Sequence, residues 1–320
     1  MSENNLLILT EDQQMLAESA AEFVAAEAPV SRFRARRDGG HSTDPDLWAQ
    51  LVDLGWNGVA LIGLAELAVV MEALGRSLAQ TPLVSVAAAA AIGEGEDGKV
   101  LAFGFNASCS ISKGTITGTI PAVQDAGMAD AFAVIATGQM YRVDATHAQI
   151  TPLARIDCRD AAHVAFDSAP ATLIDGSAQT WSRCRDWAIV AQCAEMLGTM
   201  SAAFDMTLAY VKEREQFGVK IGSFQVLKHR AVDMFIEIEL CRSAVMLASR
   251  DPSPEHVSLA KARCNDAIVT ICNEAIQLHG GIGMTDEHDI GFYLKRAMVS
   301  SQTLGTSAWH RDRYARERGY

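Results

Sequence analysis

The segment from Arg214 to Gln225 contains the residue types that bind phosphorylated nucleotides. The planar guanidinium of Arg214 presents paired donors that suit phosphate oxygens, and the ring of Phe217 offers a face against which a base can pack. Gly218 and Gly222 allow backbone and ligand to approach each other closely. A plain turn between two helices has the same composition, so this segment alone leaves both interpretations open.

A second candidate segment runs from Gln277 to Gly283 with the sequence Gln-Leu-His-Gly-Gly-Ile-Gly. Gln277 adds a side-chain amide, and Gly280 and Gly281 again permit close approach of the backbone. A helix-ending turn is an equally good interpretation of this segment by itself.

Long helical patterns carry both segments. Apolar residues at spacings of three and four predict helices over 187–211, 226–247, 254–278, 286–304 and 308–318. Nearer the N-terminus, Thr10 and Gln13 have the spacing of a capping box, and Asp44 followed by Pro45 predicts another helix start. Between 99 and 174 the pattern changes to short β-prone runs broken by turn residues.

These patterns predict an α+β fold that is mostly α, in three parts. Residues 1–97 form an N-terminal α-helical domain, and residues 98–176 form a small, shortened middle β domain. Residues 177–320 form a C-terminal helical bundle that carries both candidate segments.

Composition excludes several classes of function. The chain has 320 residues, of which 49% are hydrophobic and 21% charged, as in a soluble globular protein. A net charge of -12 argues against nucleic-acid binding. No apolar run is long enough to span a bilayer, and the first residues lack a secretory pattern, so we expect a cytoplasmic protein. The seven cysteines form no C-x-x-C pair and the histidines have no ligand spacing, so we expect reduced thiols and no metal.

Taken together and in this order, the two segments resemble those of the C-terminal helical domain of flavin-dependent acyl-CoA dehydrogenases. Four further stretches resemble the same family: Glu72–Arg76, Lys228–Met234, Met284–Asp289 and Tyr293–Ala297. The resemblance spans the whole chain. It implies the acyl-CoA dehydrogenase fold, in which an N-terminal helical domain, a small β domain and a C-terminal four-helix bundle follow one another.

The resemblance implies FAD as the cofactor, with its ADP half held across a subunit interface. It assigns six residues to this half: Arg214, Gln216, Phe217, Gln277, Gly280 and Gly281. Arg214 would contact the pyrophosphate and Phe217 would pack beside the adenine, while Gln277 and the two glycines would approach the ADP-ribose.

Two segments that the family uses are missing. The stretch Val100–Asn106 leads almost directly to Cys109, without the Thr-Glu-Pro-x-Ala-Gly-Ser type segment that binds the flavin ring. In the N-terminal domain, Leu54-Gly55-Trp56 is not followed by a Pro-Glu-x-x-Gly-Gly loop.

The basic cluster Arg32, Arg34, Arg36 and Arg37 is expected to be a solvated surface, with contact to a CoA phosphate or a partner as the alternative.

The catalytic base of the family is missing as well. Dehydrogenation at the α and β carbons of an acyl-CoA requires a carboxylate that removes the α proton. In the family this Glu precedes a Gly-Thr pair near the C-terminus, where this chain has Leu304, or lies at a position equivalent to about Ala188. Neither side chain can accept a proton. Asp186 and Glu287 are weak candidates, since acids at such positions are usually exposed helix residues.

A chain that has the ADP side of a flavin site but lacks the ring segment and the base is expected to need a partner subunit that supplies both. It resembles the short subunit of the heteromeric, α2β2 acyl-CoA dehydrogenases of steroid side-chain breakdown. The resemblance implies a heterotetramer with a longer acyl-CoA dehydrogenase-like subunit, an acyl-CoA substrate with a bulky or steroid-derived acyl group, and electron-transfer flavoprotein as acceptor. Two alternatives stay open: a self-sufficient homo-oligomer with an unusual base, and a structural or regulatory subunit that binds no flavin.

Overall fold

The computed structural model describes residues 8–95, 97–105, 107–175 and 177–320. Asn106, which ends the stretch compared with the family's ring-binding segment, lies outside these residues, as do residues 1–7, 96 and 176 of the predicted domains. The chain divides into two compact units. The first comprises the N-terminal residues up to Ser31, then Ala68–Ala79 and Gln192–Tyr320, and the second comprises Arg32–Leu67 and Gln80–Ala191.

The first unit is built of helices. Their bounds are α1 (Glu11–Glu27), α5 (Leu64–Arg76), α7 (Ala178–Glu213), α8 (Gln225–Arg250), α9 (Pro254–His279), α10 (Ile290–Ser300) and α11 (Ser307–Glu317), of which α5 and α7 begin in the second unit. Helix α1 begins with the predicted capping box, because Thr10 Oγ1 accepts from Gln13 N (3.2 Å) and Gln13 Oε1 accepts from Thr10 N (3.1 Å).

Two glycines allow α5 and α7 to cross at very short distance within this unit. A Cβ placed on Gly75 would lie 2.1 Å from Glu195 O, and one placed on Gly198 would lie 1.9 Å from Glu72 O. Any side chain at either position would therefore force the two backbones apart. Helix α9 packs on α8, α10 and α11 and supplies the centre of the bundle.

The second unit combines short helices with two four-stranded sheets. The helices are α2 (Val30–Asp38), which begins in the first unit, α3 (Pro45–Asp53), α4 (Val59–Ile62) and α6 (Leu83–Ala90). The strands are β1 (Leu101–Gly104), β2 (Ser108–Ser112), β3 (Thr115–Gln124), β4 (Ala131–Ala136), β5 (Gln139–Asp144), β6 (Ala148–Pro152), β7 (Ala161–Pro170) and β8 (Thr172–Asp175).

The sheets have the strand orders β1-β4-β5-β8 and β2-β3-β7-β6. Only the β1–β4 pair is parallel among these ladders. Their apolar faces share one core, in which the rings of Phe132 and Phe166 meet edge to face at 5.9 Å. The strands of these two sheets fall inside the predicted β domain, whose boundaries themselves stay a prediction.

One arginine of the basic cluster has a structural role instead of forming a solvated surface. Arg32 donates from Nε and Nη2 to the two carboxylate oxygens of the buried Asp44, at 2.6 and 2.7 Å. Asp44 is the N-cap of α3 and also accepts from Leu47 N at 3.1 Å. Burial opposes ionisation of this carboxyl, but the bonds from Arg32 and Leu47 outweigh it, so the pKa of Asp44 is lowered.

No helix in the described part of the chain is long and apolar enough to cross a membrane. The seven cysteines all lie in described residues, and none of them forms a disulfide. Five of them are buried in α7, α8 and α9.

Candidate cofactor-binding site

The Arg214 segment forms a small β-hairpin at the C-terminal end of α7. Strands β9 (Glu215–Gln216) and β10 (Val219–Lys220) pair antiparallel, and Phe217 and Gly218 make the two-residue turn between them. Both turn residues have positive φ, 56° and 76°, as a type I′ turn requires. This geometry places the ring of Phe217 at the hairpin tip, where 91% of the side chain is exposed.

Backbone contacts anchor this hairpin, which we call the Arg214 hairpin, to α7. Arg214 N donates to Tyr210 O, and Ile221 N donates to Arg214 O, both at 2.8 Å. A Cβ placed on Gly222 would lie 2.8 Å from Val211 O, so only glycine fits where the chain returns past the helix. The Arg214 side chain is exposed and makes no ion pair with any described residue, so its donors are available to an anion.

The second segment forms a tight turn at the end of α9. Gly280 has φ 64° and ψ -140°, a conformation that is readily adopted only by glycine. Gly280 to Met284 then form one short 3-10 helix, which we call the Gly280 turn. A Cβ placed on Gly281 would meet no atom within 4 Å, so its backbone faces open space. Gln277 is exposed on the last turn of α9.

Aromatic stacking brings the two segments to the same end of the helical unit. Tyr210, one helical turn before Arg214, stacks on His279 with ring centroids 4.5 Å apart and an interplanar angle of 24°. His279 directly precedes Gly280, and its ring also lies 4.6 Å from that of His288. A guanidinium, two exposed amides, an open glycine backbone and an aromatic tip fit the ADP half of FAD.

The β unit offers a poorer fit to the flavin ring. The connection from β1 to β2 is short, and Phe105 N and Ala107 N donate to Phe103 O and Gly104 O, both at 3.1 Å. The rings of Phe103, Phe105 and Trp181 pack together with centroids 5.2 to 5.8 Å apart. In the described part of this connection, the Phe105 ring packs against Phe103 and Trp181, and the N–H groups of Phe105 and Ala107 are used within the chain itself.

Residues 301–306 form the loop in which the family carries its base, and hydrogen bonds hold this loop in place although its reactive position is Leu304. His310 Nε2 donates to Leu304 O, and Asn265 Nδ2 donates to Gly305 O, both at 3.0 Å. Leu304 has φ 59° and Gly305 has φ 113°. A non-glycine residue in the left-handed region is held there by its surroundings. We call this segment the Leu304 loop.

A buried lysine supports the Leu304 loop from α9. Lys261 Nζ donates to Asn265 Oδ1 and, at 2.9 Å, to Ser300 O at the end of α10. The side chain is fully buried. Burial lowers the pKa of Lys261 to about 8, partly offset by the thiols of Cys193 and Cys264. The amine acts as a hydrogen-bond donor that fixes the loop.

The two weak candidates for the base lie in different units. Asp186 is buried in α7, two residues before the fully buried Ala188, and Glu287 is exposed between the Gly280 turn and α10. A third acid, Glu195, is engaged by Arg296 Nη1 at 2.9 Å, with both side chains buried. No cluster of three or more potential metal ligands occurs among the described residues.

Sequence reasoning did not single out Tyr210, His288 or Lys261. The sequence shows that Tyr210 and His288 carry rings. It does not show that both rings contact His279, because that contact depends on how the helices pack. Lys261 carries no signal at all, because a lysine on a helix is ordinarily exposed.

Two family models match the sequence. The N-terminal domain of acyl-CoA dehydrogenases matches residues 10–96, and their C-terminal domain matches residues 186–318. The acyl-CoA dehydrogenase IpdE2 of Mycolicibacterium smegmatis is 32% identical over 310 residues, which cover 93% of this chain and 96% of that protein.

Solved structures are similar over nearly the full length. A chain of the ChsE4–ChsE5 complex from Mycobacterium tuberculosis has a TM-score of 0.89 at 23% identity and covers 98% of both chains. A chain of a variant of the Tcur3481–Tcur3483 steroid ACAD has a TM-score of 0.86 at 26% identity, covering 96% of this chain and 97% of that one.

Proposed function

Because this chain belongs to the acyl-CoA dehydrogenase family, we propose that it is the short subunit of a heteromeric, FAD-dependent acyl-CoA dehydrogenase. Family membership confirms the resemblance and the fold class predicted from the sequence. FAD is the cofactor of this family, as expected, and family membership supports oxidoreductase activity. The division of labour between two unlike subunits is our proposal.

The observation that carries the proposal is an intact Leu304 loop without a base. The loop is folded, with hydrogen bonds from His310 and Asn265 to its backbone, but the side chain at 304 is not a carboxylate. Leucine has no group that can accept a proton, whatever its surroundings. A second polypeptide with a carboxylate at the α carbon of the substrate would supply this step.

The residues of this chain have binding roles in the proposed mechanism. The exposed Arg214 guanidinium would hold the pyrophosphate of FAD, and the exposed Phe217 ring would pack beside the adenine. The Gly280 turn would admit the ADP-ribose against its backbone, with the amides of Gln216 and Gln277 as donors. When bound, the flavin supplies the acceptor for the hydride that leaves the β carbon.

Substrate class and electron acceptor follow from the family only. We propose an acyl-CoA thioester as the substrate, and electron-transfer flavoprotein as the acceptor of its electrons. A bulky or steroid-derived acyl group is proposed because one similar structure is named a steroid ACAD.

An apolar surface on α8 supports a partner of this kind. One face of α8 is buried in the helical unit through Met234, Ile238, Cys241 and Val245. The helix is also apolar on a second face, where Val232, Phe235, Ile236 and Leu240 are each between 48% and 53% exposed. A helix that is apolar on two sides is normally buried on both.

The test compares the purified chain alone with the chain co-expressed with a longer acyl-CoA dehydrogenase-like chain. We expect the complex to be yellow, to contain FAD and to turn over an acyl-CoA substrate. The lone chain should hold less than one FAD per chain and show no turnover. Stoichiometric FAD and full turnover by the lone chain would overturn the proposal and favour a self-sufficient enzyme with Asp186 or Glu287 as its base.

A further inference from the structure

We infer that His279 is a positioning residue that fixes the Arg214 hairpin and the Gly280 turn into one preformed ADP-binding surface. It would act through its stacked contact with Tyr210 and its tilted contact with His288, without touching the cofactor itself. This inference rests on the proposed function, since it concerns how the same half-site is held in shape.

The imidazole of His279 is buried in a defined orientation. Only 2% of the residue is exposed, and Nδ1 lies 2.7 Å from Ala275 O, to which it donates. Nε2 therefore carries the lone pair of the neutral ring. This atom is buried and has no hydrogen-bond partner among the described residues. It cannot reach a ligand, so any contribution of His279 to cofactor binding passes through its neighbours.

One face of the His279 ring contacts the helix that carries the Arg214 hairpin. Tyr210 stacks on this face at 4.5 Å, and its carbonyl accepts from Arg214 N at 2.8 Å. A shift of the Tyr210 backbone would therefore move the first residue of the hairpin directly. The stack thus links the position of the Arg214 backbone to that of α9.

The Gly280 turn and the segment after it contact His279 from other sides. A Cβ placed on Gly283 would lie 3.0 Å from His279 Cβ, so the turn folds back onto the histidine. The His288 ring lies 4.6 Å away, and its Nδ1 accepts from Ile290 N at 3.1 Å, near the start of α10. Three separate segments therefore converge on this one residue.

Both histidines are held by hydrogen bonds to the backbone. His279 Nδ1 bonds to Ala275 O, and His288 Nδ1 accepts from Ile290 N. Burial lowers the pKa of His279, and the bond to Ala275 O opposes this shift only in part. A flat imidazole ring is well suited to stacking on Tyr210 on one face.

The experiment measures FAD affinity in the assembled complex. His279→Leu removes the ring face and the Nδ1 bond, while His279→Phe keeps the face and loses only the bond. We expect His279→Leu to raise the Kd for FAD about tenfold, as the loss of stacking contacts of this size allows. The kcat at saturating FAD should stay unchanged, and His279→Phe should recover most of the affinity.

A matched control lies on the same helix. Phe204 of α7 contacts Phe235 with ring centroids 6.2 Å apart, nearly two turns before Tyr210. Phe204→Leu removes an aromatic contact between helices without touching the half-site. It should lower the melting temperature and leave the Kd for FAD unchanged, which separates positioning from general stability.

Failure of this inference differs from failure of the proposed function. If Arg214→Ala weakens FAD binding but His279→Leu does not, the half-site stands and the positioning role is wrong. If neither variant changes FAD affinity, this chain does not contribute to the FAD site, and the proposed function is rejected together with the positioning role. If His279→Leu does not fold, Tyr210→Leu removes the same stack from its other side, and an unchanged Kd in that variant would equally overturn the inference.

Discussion

The Gly280 turn and the Leu304 loop are built alike but differ in what they retain. Each leaves helical geometry through a residue with positive φ, 64° at Gly280 and 59° at Leu304, and each is held by hydrogen bonds to neighbouring helices or turns. Around the Gly280 turn, the side chains that suit a nucleotide are exposed and available. In the Leu304 loop, the position that would perform chemistry carries an alkyl group.

The difference shows that loop geometry and loop chemistry are encoded by separate residues. The bonds that hold the Leu304 loop come from His310, Asn265 and Lys261 and end on backbone oxygens. None of them involves the side chain at 304. A carboxylate can therefore be absent from this position while the fold around it stays intact.

The largest expected effect concerns the buried amine behind the Leu304 loop. The pKa of Lys261 is about 8 when folded, against an ordinary value of 10.5. Because the unfolded chain holds this proton more tightly, folded stability rises with pH through this window. We expect the free energy of unfolding of wild type, relative to Lys261→Met, to rise by about 3 kcal/mol between pH 7 and pH 11.

Urea unfolding of both proteins across this range measures the change. Lys295→Met, at an exposed position of α10, is the matched control. Its unfolding free energy should differ from that of wild type by the same amount at every pH in this range. If the difference in unfolding free energy between wild type and Lys261→Met did not change with pH, the pKa of Lys261 would not be lowered in the folded protein.

Arg214→Ala tests the chemistry of the ADP side directly. Loss of a charge-assisted contact of about 2 kcal/mol should weaken FAD binding by the complex about 30-fold, as measured by fluorescence titration. Arg214→Lys should fall between, because lysine keeps the charge without the planar fork. Arg316→Ala, in an exposed pair with Asp312, should change nothing. Unchanged flavin content in Arg214→Ala would favour a structural subunit that binds no flavin.

Phe217→Asn separates the aromatic tip from the turn that presents it. Asparagine tolerates positive φ better than phenylalanine, and Asn-Gly is a favoured type I′ sequence. The chain should therefore melt at the same temperature or slightly higher, while the Kd for FAD in the complex rises about fivefold through loss of base packing. A parallel loss of stability would mean that the ring serves the fold.

Leu304→Glu is expected to change stability and activity least, and it tests directly whether the missing carboxylate is what prevents turnover. The residue is half-buried in a loop held by other residues, so a change of stability below about 1.5 kcal/mol is expected. The lone chain should gain no dehydrogenase activity, because the ring-binding segment is missing too. Turnover by this variant alone would show that the carboxylate was the single missing part.

Local signals in the sequence predicted much of the fold. The capping box at Thr10 and the Asp44-Pro45 start are both present, and the predicted helix 254–278 differs from α9 by one residue. Helix α7 begins nine residues before its predicted start, because charged residues hide the pattern there. The β-prone runs between 99 and 174 did not give the strand pairing, in which β6 pairs with β7 and β8 pairs with β5.

Tertiary contacts decided what the sequence could not. The charge at Arg32 suggested a solvated surface, but a partner twelve residues away made it a helix-cap anchor. The Arg214 segment was predicted either as a site or as a turn between helices, and the structure shows a hairpin there. Its positive φ at Phe217 was not evident from the sequence, because phenylalanine rarely adopts it.

Burial of Lys261 has a consequence for chemical damage. An amine with a pKa of about 8 is half uncharged at that pH, and an uncharged amine attacks thioesters, forming an amide and releasing a thiol. The bundle that lowers this pKa by burial also keeps acyl-CoA away from Lys261, and an opening that admitted acyl-CoA would expose the amine to water at the same time. The rate of acylation at Lys261, measured by mass spectrometry, would therefore report how often the surrounding helices open.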